Sequence, residues 1–155
     1  MTTEYKQLLI QDLCARLPYG VKGRCEINVP YDTFFDTIFK IHKFNTILNG
    51  IKGSLLFVTP LIKDINNQEF ANKCVANGIG IIAFKPYLRP ISSMTEEEKV
   101  EYCDLQDKFL LSSQYPVTAG YALYDWLNKK MFDFRDLIPK GLAIEVTEEN
   151  NPYKD

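Results

Sequence analysis

Two prolines four positions apart, Pro86 and Pro90, constrain the fold most strongly. They lie in the stretch "KPYLRPISSMTEEEK", which joins a β-patterned part of the chain to a helix-patterned part. Proline fixes its own φ angle and biases the preceding residue, here Lys85 and Arg89, toward extended backbone. The segment is therefore predicted to be an extended connector that leaves the last strand before the helices begin.

Alternation along this connector predicts that Lys85, Tyr87 and Arg89 face one way and Leu88 the other. In one interpretation the connector is only a joint, with Leu88 in the core, Tyr87 on the surface and the cations offsetting the acids at 96–98. In the other it is a recognition surface, since an aromatic beside an arginine is typical of a protein-binding hot spot and also suits stacked bases along a phosphate backbone.

The first segment is patterned as a helix. Thr2 or Thr3 is placed to cap it, and Pro18 followed by Tyr19-Gly20 is placed to end it. Apolar side chains recur every four positions at Tyr5, Leu9, Leu13 and Leu17. This stripe predicts a helix that packs against a sheet.

From Gly20 to about Phe84 the pattern is that of β-strands. "VKGRCEINV" alternates loosely, and "TFFDTIFKI" is rich in β-branched and aromatic residues. "SLLFV" and "GIGIIAF" are short and apolar enough for buried strands, and the glycines of the latter indicate a bend or a close backbone approach. Asn49-Gly50 lies between apolar runs and predicts a hairpin turn. Residues 67–76 fit a short helix or a strand equally, and the sequence leaves that choice open.

After the connector the pattern is helical again. Thr95 and Glu98 form a capping-box pair for one helix, and Thr118 is predicted to cap the next. The second helix, "AGYALYDWLNKK", is apolar nearly all round, which predicts burial. "LAIEV" is predicted as a last strand. We therefore predict one α+β domain over residues 1–147, with an N-terminal helix, a small antiparallel sheet or partly closed barrel and C-terminal helices packed on it, followed by a loose polar tail over 148–155.

Composition agrees with one globular domain. The chain has 155 residues, of which 46% are hydrophobic and 25% are charged, a balance that excludes disorder. The charges are unevenly divided. Residues 1–90 contain 11 basic and 7 acidic residues, whereas residues 91–155 contain 7 basic and 13 acidic residues. No run of apolar residues approaches a membrane-spanning length, and the first residues lack the features of a signal peptide. We expect a cytoplasmic protein with reduced cysteines.

Familiar catalytic and metal-binding patterns are missing from the sequence. His42 is the one histidine, the cysteines are widely spaced, and no GxSxG, P-loop or HExxH occurs. Asp32 and Asp36 form a possible carboxylate pair, but carboxylates there are typical of turns and strand edges. We predict no metal, no cofactor and no catalytic residue, and an enzyme without a recognisable motif stays the third functional hypothesis.

The early strands carry several basic residues. Lys22 and Arg24 are the candidates for a nucleic-acid-binding face, together with Lys40, Lys43 and Lys52. The alternative is that charged residues at strand edges prevent edge-to-edge association. This face supplies the second functional hypothesis, a nucleic-acid-binding module.

Three blocks, "LCARLPYGV", "KPYLRPISSMTEEEK" and "DWLNKKMFDFRDLIPKGLAIEV", resemble an uncharacterised protein family of gut Bacteroides-type bacteria and their phages. The blocks occur in matching order, whereas residues 29–84 resemble the family loosely. The resemblance implies a phage or mobile-element origin and supplies no catalytic residues. The first functional hypothesis is therefore a non-enzymatic accessory protein that binds a protein partner, with Lys85, Tyr87 and Arg89 as contact residues.

Overall fold

The computed structural model describes residues 1–32, 37–61, 78–111 and 116–154. Its helices are α1 (Thr3–Arg16), α2 (Glu96–Leu111) and α3 (Pro116–Lys129). Its strands are β1 (Lys22–Asp32), β2 (Thr37–Lys52), β3 (Leu55–Pro60), β4 (Ile79–Gly80), β5 (Phe84–Leu88) and β6 (Ile144–Glu145). The α+β class with an N-terminal helix, a mostly antiparallel sheet and C-terminal helices is thus confirmed.

Helix α1 forms as its sequence predicts. Thr2 is the N-cap, and its Oγ1 accepts a hydrogen bond of 3.2 Å from the backbone N–H of Tyr5. After Arg16 the chain tightens into one 3₁₀ turn that contains Pro18, and Gly20 follows with φ +68°, a left-handed conformation that suits glycine. Leu9 and Leu13 are fully buried and Leu17 packs against the same cluster, whereas Tyr5 at the start of the stripe is exposed.

The sheet is open, with strand order β4-β3-β2-β1-β5-β6. All neighbouring strands are antiparallel except β5 and β6, which pair in parallel. The partly closed barrel was therefore the wrong alternative. Both edge strands are only two residues long, and such short edges offer little backbone to another sheet.

The predicted Asn49-Gly50 turn is wrong. Strand β2 continues through these residues, and the register with β3 shifts between Leu48 and Gly50, so the pair forms a bulge. The turn lies at Gly53-Ser54, because Lys52 already pairs with Leu55 and Gly53 has φ +62°. A two-residue loop with positive φ at its first position matches the twist of the strands it joins.

"GIGIIAF" is not one strand. It contains β4, a single 3₁₀ turn at Ile81–Ala83 and the start of β5. The bend that its glycines indicated is therefore present. The question of helix or strand at residues 67–76 lies outside the described residues, as do the side chains of Asp32, Asp36 and His42.

Buried apolar residues form two clusters. The larger joins α1 to the sheet and contains, among others, Leu13, Val21, Leu48, Phe84 and Leu88. The smaller contains Met94, Leu123, Leu127 and Phe132, with Tyr102, Leu105, Trp126 and Phe134 packed around it. Helices α2 and α3 thus share their own cluster, which the chain reaches directly after the Pro86–Pro90 connector.

A buried ion pair connects α1 to the end of α3. Asp12 and Arg16 have fully buried side chains and form two hydrogen bonds of 2.7 and 2.9 Å. The Arg16 guanidinium also donates to the carbonyl oxygens of Phe132 (2.7 Å) and Asn128 (3.5 Å), and Arg135 contacts Asp12 at 2.9 Å. These carbonyls lie at the negative end of α3, where a cation is favoured.

Helix α3 begins at Pro116, so the prediction of Thr118 as its cap is wrong, and Thr118 lies in the first turn. The helix ends in a Schellman motif: Phe132 N–H donates to Leu127 O and Met131 N–H to Asn128 O. Met131 occupies the left-handed position with φ +58°, where glycine is usual. Its side chain is buried in the larger cluster, which offsets a strain of about 1–2 kcal/mol.

The C-terminal residues also deviate from expectation. Tyr153 accepts a hydrogen bond from Lys22 N–H (3.0 Å), and its hydroxyl lies 3.1 Å from Tyr87 O. Lys22 Nζ donates to Pro152 O at 2.7 Å. The tail was predicted to be loose, whereas Tyr153 attaches it to β1 and β5.

Within the described residues, no helix is both long and apolar enough to cross a membrane.

Candidate functional site

The connector begins inside β5, and its residues are held by internal contacts. Tyr87 is only 4% exposed, and its hydroxyl donates a hydrogen bond of 2.8 Å to Asn45 Oδ1. Leu88 is fully buried in the core. The expectation that Leu88 docks in the core is therefore confirmed, and the expectation that Tyr87 lies on the surface is wrong.

Arg89 joins the sheet to α2. Its guanidinium forms a two-pronged interaction with Glu98 at 2.9 and 2.7 Å and lies 4.4 Å from the centre of the Phe132 ring. Glu98 in turn accepts from Thr95 N–H, and Thr95 Oγ1 accepts from Glu98 N–H, which completes the predicted capping box. Arg89 thus fixes the start of α2, as the joint interpretation requires.

This network lowers the pKa of Glu98 to about 2, chiefly through its hydrogen bonds with Arg89. We expect Glu98→Gln to lower the free energy of unfolding at pH 7 by about 1–3 kcal/mol, because a charged partner of Arg89 is lost. The wild-type advantage is present above the unfolded pKa of about 4.3 and disappears as pH falls toward the folded value of about 2. Urea unfolding of wild type and Glu98→Gln at pH values from 7 to 2 measures this difference in stability. A difference that does not change with pH would contradict the prediction.

Lys22, Arg24 and Lys85 lie on neighbouring positions of β1 and β5. Arg24 is directly opposite Lys85 in the antiparallel ladder. Arg24 and Lys43 both approach Glu26, at 3.4 and 3.2 Å, and Lys22 holds the tail. Three of the five predicted binding residues thus lie close together, and Glu26 offsets part of the positive charge of Arg24. Their roles in binding stay predictions.

A surface that the sequence did not single out lies between α2 and α3. A shallow groove of about 350 Å³ is lined by Phe109, Val117, Gly120, Tyr121 and Tyr124, and we call it the α2–α3 groove. Gly120 forms its floor, since a Cβ there would lie 3.1 Å from the Phe109 ring. The missing side chain lets the two helices approach closely and leaves the ring accessible.

The side chains around this groove are strongly exposed. Tyr121 is 72% exposed and Val117 68%, while Leu110 and Leu111 at the end of α2 are 70% and 81% exposed. The prediction that "AGYALYDWLNKK" is buried all round is therefore wrong. Only one side of α3, with Leu123 and Leu127, enters the core. The all-round apolarity of that segment is the sequence signal from which an uncovered apolar side could have been inferred.

The helix beside the groove is acidic. Six residues of α2 are acidic and two are basic. Lys99 pairs with Glu96, and Glu98 is occupied by Arg89. Asp104 and Asp107 form no ion pair with any residue that the structure describes. The groove itself is lined by apolar and tyrosine side chains, and Asp104 and Asp107 lie on other sides of α2 than Phe109.

Comparison of the chain with protein-family models, with curated proteins and with solved structures gives no match. Among the described residues, no three His, Cys, Asp or Glu side chains converge in a way that would hold a metal ion. The candidate site rests on the geometry of the α2–α3 groove.

Proposed function

We propose that this chain is a protein-binding accessory protein of a phage or mobile element, and that the α2–α3 groove is its contact surface. The observation that carries the proposal is the group of exposed apolar side chains at the end of α2 and the start of α3. Soluble proteins seldom leave such side chains contiguous unless they bind something there. Tyrosine also contributes strongly to protein interfaces, because it buries a large area with few rotatable bonds.

The partner chemistry follows from the lining of the groove. A helix with apolar side chains on one face fits an apolar groove between two helices. Phe109, Tyr121 and Tyr124 would contact that face. The resemblance to a family of Bacteroides-type bacteria and their phages suggests a bacterial host protein as the partner.

Matched variants test the groove. We expect Val117→Ala/Tyr121→Ala to weaken partner binding at least tenfold, because truncating a hot-spot residue typically costs about 2 kcal/mol or more. Val100→Ala is the control, since Val100 is 63% exposed near the opposite end of α2. Each position is exposed, so stability should stay within about 0.5 kcal/mol of wild type.

The measurement is quantitative capture from a lysate of a Bacteroides-type bacterium, with and without nuclease, by the three proteins. A partner retained by wild type and Val100→Ala but lost by the double variant supports the proposal. Equal capture by all three would overturn it. Capture that disappears with nuclease would instead support nucleic-acid binding through Lys22, Arg24 and Lys85.

A defined probe tests the partner chemistry separately. An amphipathic model peptide of leucine and lysine should bind wild type and Val100→Ala, as followed by fluorescence anisotropy, and bind Val117→Ala/Tyr121→Ala less tightly. The difference should persist as salt rises, because salt screens exposed charges and not apolar contacts. Equal affinity of the peptide for all three proteins would contradict a helical partner.

A further inference from the structure

The C-terminal tail, residues 148–154, inserts a side chain at the end of the β1–β5 ladder. The register places Gly23 opposite Pro86, so Lys22 and Tyr87 are the next facing positions. Proline has no N–H, so the pair that contains Pro86 is a pair without direct hydrogen bonds. The next pair is then a hydrogen-bonded one, in which Lys22 N–H would donate to Tyr87 O.

The hydroxyl of Tyr153 lies between these two backbone groups instead. It accepts a hydrogen bond from Lys22 N–H at 3.0 Å and donates one to Tyr87 O at 3.1 Å, as a bridging water would. Burial raises the pKa of Tyr153, so the hydroxyl keeps the proton that it donates. The tail thus supplies a hydrogen-bonding group to the sheet at the point where β5 diverges from β1.

Lys22 also holds the tail through its side chain. Its Nζ donates to Pro152 O at 2.7 Å and lies 5.5 Å from the centre of the Tyr153 ring. The ring itself packs against the larger apolar cluster. The attachment of the tail to the sheet therefore depends on one tyrosine and one lysine.

An attachment of this kind can break without unfolding the sheet. When Tyr153 leaves, Lys22 N–H and Tyr87 O face each other in the register of the ladder, so they pair directly or with water. The released residues regain conformational freedom, which favours the open state. Segments held in this way open locally at a lower free energy than core strands do.

The bound tail covers a cavity and engages a cation. Asn151 and Tyr153 form one wall of a cavity of about 330 Å³, and residues at the end of α3 form another. Lys22 and Arg24 are two positions apart in β1 and so lie on the same face, where Arg24 is directly opposite Lys85. The tail therefore engages one of three neighbouring cations on this face.

From the inserted hydroxyl and the contacts of Lys22 we infer that the tail is a reversible strap, which controls access to the Lys22 ammonium and to the cavity beside it. In the bound state Pro152 and the Tyr153 ring engage the ammonium. In the released state the ammonium adds its charge to those of Arg24 and Lys85, and the cavity loses one wall. The inference does not depend on the α2–α3 groove.

Hydrogen exchange of the wild-type full chain, followed by NMR, tests the reversible release. The Lys22 amide should exchange roughly a hundredfold faster than the amide of Cys25, which is fully buried and lies between β2 and β5. Low urea should raise the Cys25 rate and leave the Lys22 rate unchanged, because local opening exposes little surface. Equal rates with the same urea dependence would overturn the inference, since the tail would then open only with the whole chain.

A tyrosine variant tests the role of the hydroxyl. Tyr153→Phe should speed exchange of the Lys22 amide about tenfold, because it removes the hydrogen-bonding group and keeps the ring. Tyr5→Phe is the matched control, since Tyr5 is exposed on α1 and should leave that rate unchanged. An unchanged Lys22 rate in Tyr153→Phe would show that the hydroxyl does not hold the strap and would overturn the inference.

Chemical labelling tests access to the covered lysine. Tyr153→Ala should raise the rate at which acetic anhydride acetylates Lys22 several-fold, as measured by mass spectrometry. The rate at Lys43 should stay unchanged, because its side chain is already 56% exposed. An unchanged rate at Lys22, or equal rises at both lysines, would show that the tail is not a separate strap over Lys22.

Discussion

Arg16→Met is expected to lower the free energy of unfolding by about 3–5 kcal/mol, because it removes the buried member of an ion pair and leaves the buried Asp12 carboxylate to the partly exposed Arg135. Arg16 and Asp12 are fully buried. The same guanidinium satisfies the Phe132 carbonyl at the end of α3, so the substitution also leaves a buried acceptor without its donor. Both effects have the same sign, which makes this one of the two largest losses that we predict.

Arg135→Met provides the control for this prediction. Arg135 contacts the same carboxylate at 2.9 Å but is 25% exposed, so its loss should cost about 1 kcal/mol. Urea unfolding of the three proteins at pH 7, followed by far-UV circular dichroism, gives the comparison. Similar losses for both arginines would contradict the structural role assigned to Arg16.

Phe132→Ala is expected to destabilise the protein by a similar amount, about 3–5 kcal/mol, as other large-to-small changes of buried aromatic residues do. Phe132 is fully buried at the centre of the smaller cluster. Its ring lies 5.6 Å from that of Trp126 and supports the Arg89 guanidinium. Removing the ring therefore opens a cavity and also loosens the connection between β5 and α2.

Thermal unfolding measures this loss, with Val100→Ala as the control. The exposed Val100 side chain should cost no more than about 0.5 kcal/mol when it is truncated. A loss of less than about 1 kcal/mol in Phe132→Ala would show that the cluster around α2 and α3 tolerates a cavity, contrary to the packing described above.

Much of the fold follows from local patterns in the sequence. The α1 stripe and the Thr95–Glu98 capping box form as predicted, because short-range spacing determines helix faces and helix starts. The extended backbone at β5 follows equally from Pro86 and Pro90. The Asn49-Gly50 turn does not form, because glycine at position 53 offers a second turn with a register that pairs Lys52 with Leu55.

Contacts between side chains far apart in the sequence could not be predicted from it. Asp12 and Arg16 are four residues apart on a helix, a spacing that an exposed salt bridge also has, so their burial under α3 cannot be recognised from spacing. Tyr87 fitted the hot-spot pattern, but its hydroxyl has an internal acceptor in Asn45. The α2–α3 groove does not follow from the sequence, because apolar residues on every side of a helix indicate burial, whereas one side of α3 is exposed.

The most direct test of the α2–α3 groove as a protein-binding surface is site-specific photo-cross-linking. Benzoylphenylalanine is placed at position 121 or, as the control, at position 100, and each protein is irradiated in a nuclease-treated lysate of a Bacteroides-type bacterium. We predict a discrete protein adduct from position 121 that position 100 does not give. The same adducts from both positions, or no protein adduct from position 121, would contradict the proposed function.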